Sequence, residues 1–263
     1  MRVVPARNGW FWLVSGFALF RKSPPMWLFL VFTYYIAVAL LGQISYVGPA
    51  VSTVLLPAFS VSFMAMCAVL ERGGLLRPVL LFAGFRSGPA TLVALGVLYL
   101  LSIVMVFGLA SFADAGALIQ WVLSGQGPSE EALRDGSVSR AMLVATLAAT
   151  PVLMAFWFAP VLAAWNGIGA AQSLFYSFFA VLRNWRAFFV YGAILALAGA
   201  VFLITVTVAA VLMQGKVQVL RSLALILTLV SLPTVFASFY ASYRDIFPEN
   251  TVPAEPPSNR ENP

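Results

Sequence analysis

The sequence predicts an all-α integral membrane protein. Six transmembrane helices are expected, from three repeats of one interfacial amphipathic helix plus two spans, with a proline-kinked second span in each repeat. Three observations predict this: an apolar composition, charge confined to short islands, and a motif that recurs three times. Of 263 residues, 62% are hydrophobic and 9% charged, with mean hydropathy +0.95. Soluble domains carry about 25% charged residues. A chain this apolar cannot cover its surface with polar groups, so its solvent is lipid.

The charge-free intervals give the spans in order. No charged residue lies between Lys22 and Glu71, Arg86 and Asp114, Arg140 and Arg183, Arg186 and Lys216, or Arg221 and Arg244. A membrane helix needs about 20 apolar residues, so the first interval holds two spans and each of the others at least one. The expected spans are 26–46, 50–70, 90–112, 142–164, 187–212 and 222–243. The runs are continuous, without the short alternation of a transmembrane barrel. The N-terminal apolar stretch ends in Arg21 and Lys22 rather than a small-residue cleavage site, so it does not read as a cleaved signal. Cys67, the single cysteine, lies within a span and reads as a small apolar filler.

The motif is FALFRKSP at Phe17–Pro24, FAGFRSGP at Phe82–Pro89 and FAVLRNWR at Phe179–Arg186. The arginines Arg21, Arg86 and Arg183 each close an apolar segment and precede a span. The following span carries a proline: Pro57, Pro151 and Pro233. Six residues beyond each is an aromatic, Phe63, Trp157 or Phe239. The repeats run over about 8–72, 75–166 and 169–245, inside one transmembrane domain, 1–247. The polar, proline-rich tail 248–263 is expected to be disordered.

The first elements of the repeats differ. Around 169–185, Ser173, Ser177, Ala180 and Asn184 form a small or polar stripe at helical spacing, opposite Phe175, Phe178, Phe179 and Leu182. Such a helix suits the headgroup layer. The first helix has a narrow stripe, Asn8, Ser15 and Lys22, and should sit deeper. The middle copy is short, with Pro78 restricted to its first turn. The arginines, with Lys22 and Arg186, are candidate lipid-headgroup contacts, and their plain role is anchoring by guanidinium or ammonium at lipid phosphate. The prolines read as structural kinks around a packed centre, with Thr53, Ser60, Thr150, Ser231 and Thr234 near enough to satisfy freed carbonyls. The sharper reading of the same prolines is a gate between broken helices.

Eleven basic residues fall on the side of the chain termini and four on the other, which places both termini in the cytoplasm of a bacterial inner membrane. The basic residues are scattered along membrane borders and form no nucleic-acid patch. The sequence has no histidine, removing the commonest general base and metal ligand. No acidic residue lies within an expected span, which argues against paired catalytic carboxylates and against a proton relay. Asp114, at a span edge, reads as a solvated loop residue. Gly192, Ala196 and Gly199 form a small-residue seam that reads as close helix packing, with a dimer contact as the other reading. In the external segment 113–140, Ser129 can cap a short helix ending at Asp135–Gly136. That helix reads as plain surface structure or as a docking site for a periplasmic partner.

The opening PARNGWFWLVSGFALFRKSP and the stretch VGPAVSTVLLPAFSVSFMAMC resemble a proteobacterial family of six-span inner-membrane proteins. That family is similar to YciC-like proteins and to the membrane domain of some glycerophosphodiester phosphodiesterases. The resemblance implies the six-span layout and carries no catalytic residues. The soluble phosphodiesterase domain has no counterpart, so that activity does not follow. The expected function is non-enzymatic, as a membrane scaffold or through lipid contact, with no cofactor or metal and membrane lipids as partners. The alternative is a transporter or lipid-translocating protein with a cavity between kinked helices.

Overall fold

A computed structural model describes residues 1–45, 47–125, 127–128, 130–212 and 217–248. Ser129, Lys216, Arg260 and the tail from 249 lie outside the described residues. The helices are α1 (Asn8–Arg21), α2 (Pro24–Gly42), α3 (Val47–Glu71), α4 (Pro89–Asp114), α5 (Ala117–Ser124), α6 (Glu130–Arg134), α7 (Ser137–Phe156), α8 (Ala159–Asn166), α9 (Ala170–Arg183), α10 (Trp185–Leu212) and α11 (Val217–Ile246). Two 3-10 turns, Pro78–Phe82 and Gly84–Arg86, join α3 to α4. No strand occurs among the described residues. Prolines open α2, α4 and α8, where a missing N–H costs no helical bond.

Among the described residues, five stretches are long and apolar enough to cross a membrane: α2, α3, α4, the α7–α8 pair and α10 up to Ala209. The sequence reading expects six. Its sixth, 222–243, falls inside α11, part of whose side chains lie outside the described residues.

The fourth expected span, 142–164, is not one helix. Helix α7 runs unbroken through Pro151, and the chain bends instead at Trp157–Phe158. Pro160 removes the N–H that would reach the Phe156 carbonyl, so the helix is weakest there. Ser177 of α9 fills the gap. Its hydroxyl accepts from the Phe158 N–H at 2.8 Å and donates to the Met154 carbonyl at 2.9 Å. Helix α3 likewise continues through Pro57, and α11 through Pro233. The Thr53 and Thr150 hydroxyls bond the Pro49 and Thr146 carbonyls, not the Thr53 and Leu147 carbonyls that Pro57 and Pro151 free.

The core forms around α3, which α2, α4, α8 and α11 all contact. Aromatic pairs knit it: Phe63 stacks on Phe236 at 4.5 Å, and Trp157 meets Phe239 at 4.5 Å. Helix α1 lies against α10 and α11. A Cβ on Gly16 would fall 2.5 Å from the Thr234 carbonyl oxygen, so only glycine permits this approach. Buried hydroxyls act as stitches: Tyr191 and Ser238 bond at 2.7 Å between α10 and α11, and Ser62 accepts the Gly84 N–H at 2.9 Å.

The surface is apolar. Leu101, Val104, Phe112, Leu147, Leu197 and Ile204 all point outward. Patches of this extent on a water-exposed protein would drive association; against hydrocarbon they cost nothing. The same inversion corrects the reading of α9. Its stripe of Ser173, Ser177, Ala180 and Asn184 is buried against the protein, while Phe175, Phe179 and Leu182 face out. In lipid the small and hydroxyl residues seek partners inside, because hydrocarbon offers none. The Gly192–Gly199 seam also faces outward, with nothing near either glycine, so it does not pack within the chain. Asp114 is buried rather than solvated. It accepts from the backbone N–H groups of Gly116 and Leu118, turning α4 into α5.

Candidate functional site

Helices α3 and α11 end together, α1 runs past both ends, and a cavity of about 840 Å³ opens among them. Its charge comes from the ends of α3 and α11, from Arg2 and from Lys22 just beyond α1. Helix α1 contributes its narrow stripe of Asn8 and Ser15, followed by Lys22. Helix α3 closes with Glu71 and Arg72, and α11 with Arg244 and Asp245. Arg2 crosses over from the N-terminal segment. The lining thus holds four cations and two carboxylates.

Both carboxylates are paired with an arginine. Asp245 Oδ1 pairs with the Arg2 guanidinium, and Oδ2 accepts from Asn8 Nδ2 at 2.7 Å and Trp12 Nε1 at 2.9 Å. Burial pushes the Asp245 carboxyl up. The bonds from Asn8, Trp12 and Arg2, with the charge of Arg2, outweigh that and hold it below the usual carboxylate range. Glu71 pairs with the Arg244 guanidinium and accepts from the Tyr240 hydroxyl at 2.6 Å. Two cations are left over. Lys22 spends one of its three donors on the Leu70 carbonyl at 2.9 Å. Arg72 has no side-chain partner among the described residues. Both sit where helix carbonyl ends favour positive charge.

The N-terminal segment is stitched to the same end of the molecule. Arg2 N–H bonds the Ile246 carbonyl at 2.9 Å. Asn184, buried between α9 and α10, accepts from the Val4 N–H at 2.8 Å and donates to the Arg2 and Ala180 carbonyls. Every hydrogen-bonding position of its amide but one acceptor site is thereby used.

Of the candidate headgroup contacts, only Lys22 reaches this cavity, together with Asn8 and Ser15 of the same stripe. Arg21 is exposed, with its guanidinium 5.9 Å from the Phe17 ring, and Arg186 is exposed, 5.5 Å from the Trp185 ring. Arg86 and Arg183 are exposed at the ends of their segments. Pro57 borders a second, smaller cavity of about 220 Å³, and Pro151 and Pro233 border neither. That second cavity is apolar and takes Phe63, Trp157 and Phe239 into its wall. Arg2, Glu71, Arg72, Arg244 and Asp245 were missed as a site. One signal was available: Glu71–Arg72 and Arg244–Asp245 are acid–base pairs at the ends of apolar runs, on a side otherwise marked by basic residues.

An all-helical chain with an apolar exterior and its ion pairs at helix ends is a helical membrane protein. It is 34% identical, over 253 residues, to a probable inner membrane protein of Burkholderia thailandensis, covering 93% of this chain and 92% of the relative. The chain therefore belongs to the family of that protein. No family model matches the chain, and no solved structure matches it.

Proposed function

We propose that the protein is a non-enzymatic inner-membrane protein of six spans, both termini cytoplasmic, that acts through lipid contact or as a membrane scaffold. The observation that carries this reading is the placement of charge. Among the described residues, ionisable acidic and basic groups sit at helix ends or in connections, and six of them line one cavity among α1, α3 and α11. The six-span count draws support from the chain ends. Arg2 is bonded to Asp245 and Ile246, so both ends lie on one face, which requires an even number of crossings. Five apolar stretches plus α11 meet that requirement.

The threefold repeat draws support from the packing. The first element of each unit lies on the second span of the unit before it: α1 on α11, the 3-10 turns on α3, and α9 on α7 and α8. Two of these contacts match in detail. Gly16 sits on Thr234 and Ser238, and Gly84 on Ala58 and Ser62, which are one and five residues beyond Pro233 and Pro57. Kinship with YciC-like proteins and with phosphodiesterase membrane domains is part of this proposal and rests on the quoted motifs.

A transporter has one observation in its favour, the aromatic-walled cavity beside Pro57. At about 220 Å³ it falls below the roughly 300–1,000 Å³ of ordinary ligand pockets, which favours the lipid-contact reading. Gentle extraction followed by mass spectrometry of copurifying molecules separates the two. Lipid contact predicts anionic phospholipid enriched above its share of the membrane. A retained soluble solute with a lipid belt of bulk composition would refute it.

A further inference from the structure

We propose that the cavity between α1, α3 and α11 is a phosphate site, and that its occupant is the headgroup phosphate of an anionic glycerophospholipid. This rests on the lipid-contact reading above and assigns that contact to one place. The charge balance is the starting point. Asp245 is consumed by Arg2, Asn8 and Trp12, and Glu71 by Arg244 and Tyr240. With each carboxylate paired to one arginine, the lining keeps a net charge of +2, carried by Lys22 and Arg72. Lys22 retains two free donors, and the Arg72 guanidinium presents five N–H groups with no partner among the described residues.

Two positive charges in the lining of one cavity, beside two neutral ion pairs, call for an anion with several acceptor oxygens. A phosphate meets that geometry: arginine takes two of its oxygens side by side and lysine takes a third as a point charge. The volume, about 840 Å³, admits a glycerophosphate headgroup with water. The surroundings decide between a lipid and a soluble phosphate. Phe11, in the cavity lining, is 51% exposed, and α1 exposes Trp10, Val14 and Phe17 outside the lining. A charged cavity on a helix that otherwise turns apolar side chains outward suits a headgroup that carries acyl chains. A free phosphate gains nothing from those apolar side chains.

The test uses the full-length protein in detergent, titrated with dioleoylphosphatidylglycerol or dioleoylphosphatidylcholine and read by native mass spectrometry. Replacing Lys22→Gln and Arg72→Gln together removes both charge-assisted contacts to the phosphate and should weaken phosphatidylglycerol binding by roughly tenfold or more. Arg183→Gln with Arg186→Gln should change it by less than about twofold, the scale of exposed pairs. Both variants alter exposed side chains, and inaccessibility of Cys67 to a maleimide dye verifies that each is folded. Equal loss in the two variants, or loss only in the second, would overturn the site while leaving the lipid reading intact. No preference for phosphatidylglycerol over phosphatidylcholine in the parent protein would overturn both. Displacement of bound phosphatidylglycerol by glycerol 3-phosphate or inorganic phosphate, dependent on Lys22 and Arg72, would overturn the lipid source and assign the cavity to a soluble phosphate ester.

Discussion

Replacing Asp245 with alanine should unfasten the N-terminal segment from α11 and lower the stability of the whole molecule. Trp12 is 2% exposed, and its indole N–H has Asp245 Oδ2 as its acceptor at 2.9 Å. Removing the carboxylate leaves a buried donor without a partner, which costs about 1–3 kcal/mol. The pair with Arg2 adds less, because the Arg2 side chain is 57% exposed, and water screens such pairs to about 0–1 kcal/mol. The sum is roughly 1–4 kcal/mol, and for a chain of this size each kcal/mol moves Tm by roughly 2–4 °C. Asp245→Ala should therefore melt about 2–16 °C lower. The assay is built into the chain: Cys67 is the single cysteine and fully buried, so a fluorogenic maleimide reports unfolding in detergent. Asp245→Asn keeps an acceptor for the indole and should lose less than half as much; Arg2→Ala should lose least. A Tm for Asp245→Ala within about 1 °C of the parent, or a larger loss for Arg2→Ala, would refute this account of the clamp.

Three further outcomes follow from the same contacts. Gly16→Ala places a methyl 2.5 Å from the Thr234 oxygen, so α1 must shift off α11 at a cost of about 1–3 kcal/mol, whereas Gly192→Ala, in open space, should leave Tm unchanged; equal Tm values would contradict the packing. Acid should loosen the Asp245 clamp. Its folded pKa lies below the ordinary carboxylate value, so its stabilisation is full above about pH 4 and disappears as pH falls through the folded value; a parent minus Asp245→Asn difference in Tm that stays constant from pH 6 to pH 3 would defeat the assignment. Arg183→Lys should be silent in anionic-lipid binding, since an exposed anchor needs only charge; selective loss of one lipid class would turn that arginine into a specific ligand.

Helix content was legible because lipid forbids charge. The charge-free intervals predict 26–46, 50–70, 90–112 and 187–212; the structure has α3, α4 and α10 over the last three, and α2 over the first only as far as Gly42. The break at Trp157–Phe158 was not legible, since it depends on Ser177 arriving from another helix. The stripe on α9 could be read from spacing, but not its direction. Polar faces turn outward in water and inward in hydrocarbon, and the pattern is the same for both. The charged cavity was hidden for a different reason. Its partners are far apart in sequence, 169 residues for Tyr240 with Glu71 and 243 for Arg2 with Asp245. Counting basic residues for topology passed over the two acids that hold them in place.

The account depends most on where the charged cavity lies relative to the bilayer, and cysteine labelling in cells tests that directly. With Cys67→Ala as background, single cysteines at Pro248, beside the cavity, and at Leu123, in α5, are exposed in turn to a membrane-impermeant maleimide. Six crossings with cytoplasmic termini predict labelling at 123 in intact spheroplasts and at 248 only after permeabilisation. Labelling at 248 in intact spheroplasts, or at both positions from one side, would contradict the topology on which the cavity's lipid contact rests.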